Sequence, residues 1–214
     1  MKKLKFRYRL IYFVLNAFFF KNIQITVKGT ENIPKNKGFI IAANHEHSWD
    51  PVVISFLMKR NIHFFSIDYI SKKTLSEKKW ASNLERFIFR DSISGLFLIW
   101  AEQIQVSRVN KRINKRALAA AGEYIKKSEI VGIFPEGELQ LKEKKIYPGV
   151  AILSKRNKCK ILPVYLSNNA PSDDFIKLNF TKASMTIGKT LNFSVSVDST
   201  KKRVMKEVYR LKND

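Results

Sequence analysis

The sequence predicts a single α/β domain with a largely parallel mixed sheet flanked by helices. Short apolar runs, typical of buried strands, alternate with longer helical segments through the middle of the chain. This alternation is the pattern of parallel β-α-β units. The chain has 214 residues, of which 45% are hydrophobic, and this is enough to build one sizeable core. No internal repeat or low-complexity linker interrupts the pattern.

The individual strands are indicated by apolar or alternating runs bounded by glycine, proline and polar residues. In chain order we expect strands at 23–27, 39–43, 62–67, 103–108, 130–134, 161–166, 183–187 and 191–197, with a further strand residue at Phe180. Helices are expected at 51–58, at 111–127, from Val150 onward and at 203–211. Pro163 lies inside a predicted strand and indicates an edge strand or a bulge, because proline donates no ladder hydrogen bond. We expect His63 to be a half-buried strand residue rather than a ligand.

The first 22 residues differ in character from the rest. Basic residues alternate with apolar ones up to Leu10, and an apolar, aromatic run broken by Asn16 then continues to Phe20. The run is shorter than the roughly 20 apolar residues that span a bilayer. It predicts a helix that lies in the membrane interface, with cations at the headgroups. A signal peptide and a core helix with one basic face are the alternatives.

Residues 71–96 interleave basic and aromatic side chains. Trp80, Leu84, Phe87 and Ile88 share one helical face at spacings of three and four. Such a stripe most often packs into a core. The basic neighbours also permit a helix that faces a membrane or an acyl chain.

The charge points to an anionic partner. Forty Lys and Arg against 18 Asp and Glu give a net charge of +22. Nucleic acid, anionic lipid headgroups and acidic carriers or substrates all fit this balance. Cys159 is the one cysteine in the sequence, so no intrachain disulfide and no cysteine-based metal cluster can form. We therefore expect a reducing compartment and no metal site.

The most informative stretch is Asn44-His45-Glu46-His47-Ser48-Trp49-Asp50-Pro51, which joins a predicted strand to a predicted helix. Sites in α/β proteins form at such junctions. Pro51 favours the first helical position and Asp50 the cap before it. Asp50 can then hold one nitrogen of His45, leaving the other basic enough to deprotonate a substrate hydroxyl. The alternative is a turn histidine beside a capping aspartate.

From Val27 to Leu166 the sequence resembles the lysophospholipid, or 1-acylglycerol-3-phosphate, acyltransferases of the PlsC type. The matching blocks occur in the family's order. They are the lead-in at 27–34, Asn44-His45 followed by Asp50 in the Asn-His-x4-Asp block, the strand at 104–108 ending in Arg108, Phe134-Pro135-Glu136-Gly137, and Ile161-Leu162-Pro163-Val164. Several ordered blocks are much more specific than one.

The resemblance implies an enzyme that moves a fatty acyl group from an acyl-carrier protein or acyl-CoA thioester to a lysophospholipid hydroxyl. His45 would be the general base and Asp50 its orienting partner. Arg108 would contact the acceptor phosphate, while Glu136 and Gly137 would shape the acceptor pocket. Asn44, Phe134, Pro135 and Pro163 would support the site. No bound cofactor is implied. We expect residues 23–214 to form the acyltransferase domain, associated with the cytoplasmic face of an anionic membrane.

One block departs from the family pattern. Glu138-Leu139-Gln140 stands where the family usually has threonine, arginine and serine. An acid beside a bound phosphate is repulsive, although Lys142, Lys144 or Lys145 can compensate. The acceptor headgroup therefore stays open. Two other functions stay open as well: a catalytically degenerate protein that remodels membranes, and a basic nucleic-acid-binding protein. No nucleic-acid recognition motif is present, so we expect no specific nucleic acid partner.

Overall fold

The computed structural model describes residues 9, 13, 23–47, 50–67, 103–106, 111–137, 145–168 and 181–213. The strands are β1 (Gln24–Lys28), β2 (Phe39–Ala43), β3 (Ile62–Ile67), β4 (Ile104–Val106), β5 (Ile130–Ile133), β6 (Ile161–Asn168) and β7 (Lys182–Ile187). The helices are α1 (Asp50–Met58), α2 (Lys111–Lys126), α3 (Gly149–Asn157) and α4 (Val197–Arg210), and 3-10 turns occupy Thr30–Asn32 and Leu211–Asn213.

All seven described strands belong to one sheet in the order β1-β7-β6-β2-β5-β3-β4. Every neighbouring pair is parallel except β6 and β7, which are antiparallel. The predicted α/β domain with a largely parallel mixed sheet is therefore confirmed. The strands from β6 through β4 point the same way, so their carboxyl ends share one edge of the sheet.

The central strand β2 is buried on both faces, which explains why its sequence is a continuous apolar run. Ile41 and Ala43 face one core cluster, which α1 covers with Val52 and Ile54. Ile40 and Ala42 face the other cluster, which is covered by α2, α3 and α4. Alternate residues of a strand point to opposite faces, so one short segment anchors both layers.

The predicted strand at 191–197 is wrong. Leu191 makes a single bridge to Ile161, and α4 begins at Val197. The Ser196 side chain accepts a hydrogen bond from the Ser199 amide and caps the helix. The alternation of apolar residues at 191–197 indicated a strand, but the capping serine ends the extended segment.

Pro163 lies in an interior strand, so the edge position that we allowed for is wrong. β6 has β7 on one side and β2 on the other. The Pro163 carbonyl accepts a hydrogen bond from Gly188, one residue beyond the end of β7, and the β6–β7 pairing begins at Val164. The proline nitrogen faces that same side. The missing donor falls where the register changes by one residue, between the Gly188–Pro163 bond and the Ile161–Leu191 bridge, which is the arrangement of a bulge.

His63 lies in β3 as predicted, but it is fully buried rather than half-buried. Its Nε2 is 2.7 Å from a Glu129 carboxylate oxygen, and its ring stacks on Tyr124 with centroids 3.7 Å apart. A buried imidazole needs such a partner because an unpaired polar group is costly in a core.

Several predictions fall on residues outside the described ranges. These are the features of residues 71–96, Phe180, Arg108 and the Glu138-Leu139-Gln140 departure. Within residues 1–22 the structure describes Arg9 and Phe13, both helical and exposed. None of the helices in the described residues is long and apolar enough to cross a membrane.

Candidate active site

His45 and Asp50 meet at the carboxyl end of the central strand. β2 ends at Ala43, the chain turns through a loop, and α1 begins at Asp50. His45 Nδ1 lies 3.0 Å from Asp50 Oδ2. The His45 side chain is 13% exposed and that of Asp50 is 2% exposed. The carboxylate is therefore shielded from water, while the ring that it orients can be reached from outside.

Asp50 also holds the loop itself in place. Its Oδ2 accepts hydrogen bonds of 2.8 Å from the backbone amides of Glu46 and His47, while its own amide donates to the His47 carbonyl. We expected Asp50 to be a cap before the helix. Instead it is the first residue of α1, and its side chain turns back toward the preceding loop. Three donors on one oxygen fix the orientation of the carboxylate.

Asn44 fastens the start of the loop to β6. Its side-chain amide donates to the Leu166 carbonyl at 2.8 Å, and its side-chain oxygen accepts from the Leu166 amide at 2.8 Å. Both bonds are buried. The side chain thus continues the pairing of β2 with β6 beyond the last paired residue, and it brings His45 out of the sheet in a fixed direction.

One face of the His45 imidazole stacks on an aromatic ring. The His45 ring lies on Phe134 with centroids 4.0 Å apart and an interplanar angle of 14°. Phe134 in turn stacks on Phe64 at 5.1 Å. His45 is therefore held at one ring nitrogen by Asp50 and across one face by Phe134. No hydrogen bond to its other nitrogen, Nε2, occurs among the described residues.

The Pro135-Glu136-Gly137 turn follows β5 at the same edge of the sheet. Buried Glu136 accepts a hydrogen bond from the His45 backbone amide at 3.3 Å and another from the Tyr209 hydroxyl. The Pro135 carbonyl accepts from the Tyr147 amide at 2.7 Å. Gly137 has φ of 79°, and a Cβ there would lie 2.7 Å from the Tyr147 ring. The turn therefore needs glycine at this position.

The structure brings together most of the residues that the sequence singled out: Asn44, His45, Asp50, Phe134, Pro135, Glu136 and Gly137. Pro163 lies three residues before Leu166, the backbone partner of Asn44, and the described contacts do not join it to His45. β4 ends two residues before Arg108, which lies outside the described part of the chain. Among the described residues, no group of three or more potential metal ligands occurs.

Sequence reasoning missed two contributors to this site. Leu166 acts through its backbone, which leaves no signal in the side-chain pattern. Tyr209 lies on the amphipathic helix α4, and its spacing resembles that of the buried residues Met205 and Val208. A contact between residues 73 positions apart, such as Tyr209 with Glu136, produces no local periodicity.

Comparison with known proteins identifies the family. The acyltransferase family profile matches residues 24–167. A 1-acyl-sn-glycerol-3-phosphate acyltransferase of Bacillus subtilis (strain 168) is 24% identical over 168 residues, which cover 78% of this chain and 74% of that protein.

Among solved structures, the fold is similar to that of the 1-acyl-sn-glycerophosphate (LPA) acyltransferase PlsC from Thermotoga maritima. The TM-score is 0.59 at 20% identity, over 96% of this chain and 75% of that one. The family profile covers the junction after β2, the turn after β5 and most of β6, where the predicted blocks lie. The chain belongs to the acyltransferase family, and the resemblance to the PlsC type is confirmed.

Proposed function

We propose that this acyltransferase moves a fatty acyl group from an acyl-carrier protein or acyl-CoA thioester to a lysophospholipid hydroxyl. The acceptor is 1-acylglycerol-3-phosphate or a close relative. The observation that carries the proposal is the His45–Asp50 pair, with 3.0 Å between Nδ1 and Oδ2, at the carboxyl edge of the sheet. The pair orients a partly exposed imidazole without supplying a nucleophile. The hydroxyl to be activated must therefore come from the substrate.

The reaction follows from this geometry. With Nδ1–H donated to Asp50, Nε2 carries the lone pair and accepts the proton of the acceptor hydroxyl. The oxygen attacks the thioester carbonyl carbon and forms a tetrahedral oxyanion. Collapse of that intermediate breaks the carbon–sulfur bond, and the departing thiolate takes the proton back from His45. The products are an ester and a free thiol, and His45 ends in its starting state.

Asp50 matters most while His45 is charged. A buried carboxylate stabilises the imidazolium that forms after proton transfer and keeps the ring in the productive tautomer. Its oxygen is already held by the Glu46 and His47 amides, so it needs no reorganisation during the reaction. The stack on Phe134 also restricts rotation of the His45 ring.

The acceptor side rests on the family resemblance. Arg108 is suited to a phosphate because a guanidinium can bind two oxygens at once. Glu136 and Gly137 form the turn beside His45, and we assign them to the wall of the acceptor pocket. Glu138-Leu139-Gln140 replaces the family's usual basic and hydroxyl residues. We expect this departure to select the acceptor headgroup.

Membrane association rests on the first 22 residues and on the net charge of +22. Phe13, within this segment, is helical and 72% exposed. An exposed aromatic residue among cations suits the interface of an anionic membrane. Residues 1–22 would be the anchor and residues 23–214 the catalytic domain, acting at the cytoplasmic face. The same positive charge would attract an acidic carrier protein, with no bound cofactor and no specific nucleic acid required.

The test is acyl transfer by purified protein in anionic lipid micelles. Radiolabelled acyl-carrier protein and acyl-CoA are each offered with a panel of lysolipids that differ in headgroup. Asp50→Asn is compared with Asp198→Asn, which changes an exposed aspartate at the start of α4. We expect transfer by the wild type and by the Asp198 variant. The Asp50 variant should lose roughly 10²–10⁴-fold in kcat.

Each outcome has a defined meaning. The preferred headgroup identifies what the altered block selects, and the preferred thioester identifies the donor. Folded, membrane-bound protein that transfers no acyl group between any donor and acceptor would contradict the proposal. That result would favour a degenerate protein that remodels membranes. Retention on nucleic acid at high salt would favour a nucleic-acid-binding function instead.

A further inference from the structure

Buried Glu136 connects the two faces of the sheet. One of its carboxylate oxygens accepts the His45 backbone amide, and the other accepts the Tyr209 hydroxyl. His45 stacks on Phe134, which belongs to the core cluster covered by α1. Tyr209 belongs to α4 and packs with the cluster on the opposite face. The two hydrogen bonds of Glu136 therefore connect α4 with the loop after β2 at the carboxyl edge of the sheet.

We infer that Tyr209 is a positioning residue for acyl transfer, which holds Glu136 so that Glu136 in turn fixes the backbone of His45. This inference rests on the proposed function, because it assumes that His45 is the general base. A buried carboxylate is stable only when its oxygens are hydrogen-bonded. A phenol hydroxyl that donates to one oxygen leaves the other directed at the His45 amide.

Tyr209 is itself held firmly enough for this role. Its ring packs at 59° against Tyr165, with centroids 6.1 Å apart. Its neighbours Val208 and Leu211 are buried in the core under α4. The helix start is fixed by the Ser196 cap and by Thr200, whose hydroxyl donates to the Ser196 carbonyl at 2.7 Å. The ring contact with Tyr165 and the buried neighbours on α4 restrict the movement of the phenol.

Tyr209 lies 42 positions beyond the residues 24–167 that the family profile matches. The blocks that match the family therefore do not contain all the groups that set the geometry of the site. Glu136 and Tyr209 also line a groove of about 350 Å³ together with Ile146, Lys202, Met205 and Lys206. If the hydroxyl were removed, water from this groove would take its place beside the Glu136 carboxylate. Glu136 could then turn away from His45.

The test removes the hydroxyl alone, with Tyr209→Phe. The matched control is Tyr124→Phe on α2, where the ring stacks on His63 at the opposite edge of the sheet. Full-length protein in anionic micelles is assayed for acyl transfer, and exchange of the His45 backbone amide with deuterium is followed by NMR. We expect Tyr209→Phe to lower kcat about tenfold, because a hydrogen bond to a charged group is lost, with KM changed less than about twofold. The His45 amide should exchange at least about fivefold faster.

A third variant, Glu136→Ala, separates positioning from a general effect on folding. It removes the group through which Tyr209 is inferred to act, so adding Tyr209→Phe should not speed His45 exchange further. A purely structural role would instead speed exchange in both backgrounds. The inference is overturned if Tyr209→Phe leaves His45 exchange at the wild-type rate, or if exchange quickens while kcat is unchanged. Wild-type protein without acyl transfer would contradict the proposed function. The exchange measurements need no turnover, so they would still show whether Tyr209 holds the His45 backbone through Glu136.

Discussion

Two histidine–carboxylate pairs lie in the described part of the chain, and their difference shows what makes one of them suitable for catalysis. His45 and Asp50 lie 3.0 Å apart at the carboxyl edge of the sheet. His63 and Glu129 lie 2.7 Å apart near the amino ends of β3 and β5. The shorter hydrogen bond belongs to the pair that we regard as structural. Bond length alone therefore does not identify a catalytic dyad.

The two pairs differ in which partner is exposed to solvent. In the first pair the histidine is 13% exposed and the aspartate 2% exposed, whereas in the second the histidine is 0% exposed and the glutamate 14% exposed. A general base must reach its substrate, so the imidazole must be the accessible partner. His63 is covered by Tyr124 and by the sheet. Its hydrogen bond to Glu129 satisfies the buried imidazole.

The largest expected effect comes from His45→Ala. We expect kcat to fall roughly 10²–10⁴-fold because the proton acceptor is lost, with a free energy of unfolding within about 1 kcal/mol of wild type. Acyl transfer and urea unfolding, measured on the same preparation, test this. A loss of activity smaller than about tenfold would show that His45 is not the general base, and the comparison would no longer hold.

His63→Ala should have the opposite signature. We expect it to lower the free energy of unfolding by about 2–4 kcal/mol, because it leaves a cavity against Tyr124 and removes a partly buried hydrogen bond to Glu129. The activity per folded molecule should stay near wild type. Urea unfolding followed by circular dichroism, beside acyl transfer at low temperature, provides the measurement. A large fall in kcat with unchanged stability would mean that both pairs serve the reaction.

Asn44→Ala tests the hydrogen bonds that hold the loop bearing His45 against β6. It deletes two buried hydrogen bonds to Leu166, and we expect a loss of about 1–3 kcal/mol in unfolding free energy together with lower kcat. Asn157→Ala is the control, because its amide makes one hydrogen bond to Leu153 within α3 and should cost less than about 1 kcal/mol. If Asn44→Ala lowered stability without affecting turnover, the contacts of Asp50 and Glu136 would be sufficient to hold the loop.

The smallest effect on activity is expected from a substitution of Cys159. This substitution tests whether a cysteine of the protein carries the acyl group during the reaction. Burial raises the pKa of the Cys159 thiol to about 11, so little thiolate exists at neutral pH. The residue also precedes β6, at the amino edge of the sheet. Cys159→Ser should therefore leave activity unchanged. Maleimide labelling of the folded protein should be slow at neutral pH and should accelerate as the pH rises toward 11.

The sequence was informative where a feature is local. The apolar run of β2, the Pro51 signal and the five-residue spacing of His45 and Asp50 predicted a strand, a loop and a helix start in their correct order. The fold class followed from alternating periodicities. Even there the detail differed, because Asp50 holds the loop before the helix rather than capping the helix.

Long-range contacts and competing local signals limited the rest. Asn44 and Leu166 are 122 positions apart, and no sequence pattern links a side chain to a distant backbone group. The burial of His63 depends on α2 covering β3, which strand periodicity does not reveal. Residues 191–197 alternate like a strand, but one serine side chain bonded to the Ser199 amide starts a helix instead.

The hydrogen bonds between Asn44 and Leu166 also constrain the order of events during synthesis. A chain leaves the ribosome amino end first, so the segment bearing His45 emerges long before β6, to which it must be fastened. Until residues 161–168 insert beside β2, the loop lacks that anchor. Closing so long a loop is a slow, non-local step in folding. A nascent chain stalled before β6 would therefore carry both members of the dyad and still lack an organised active site.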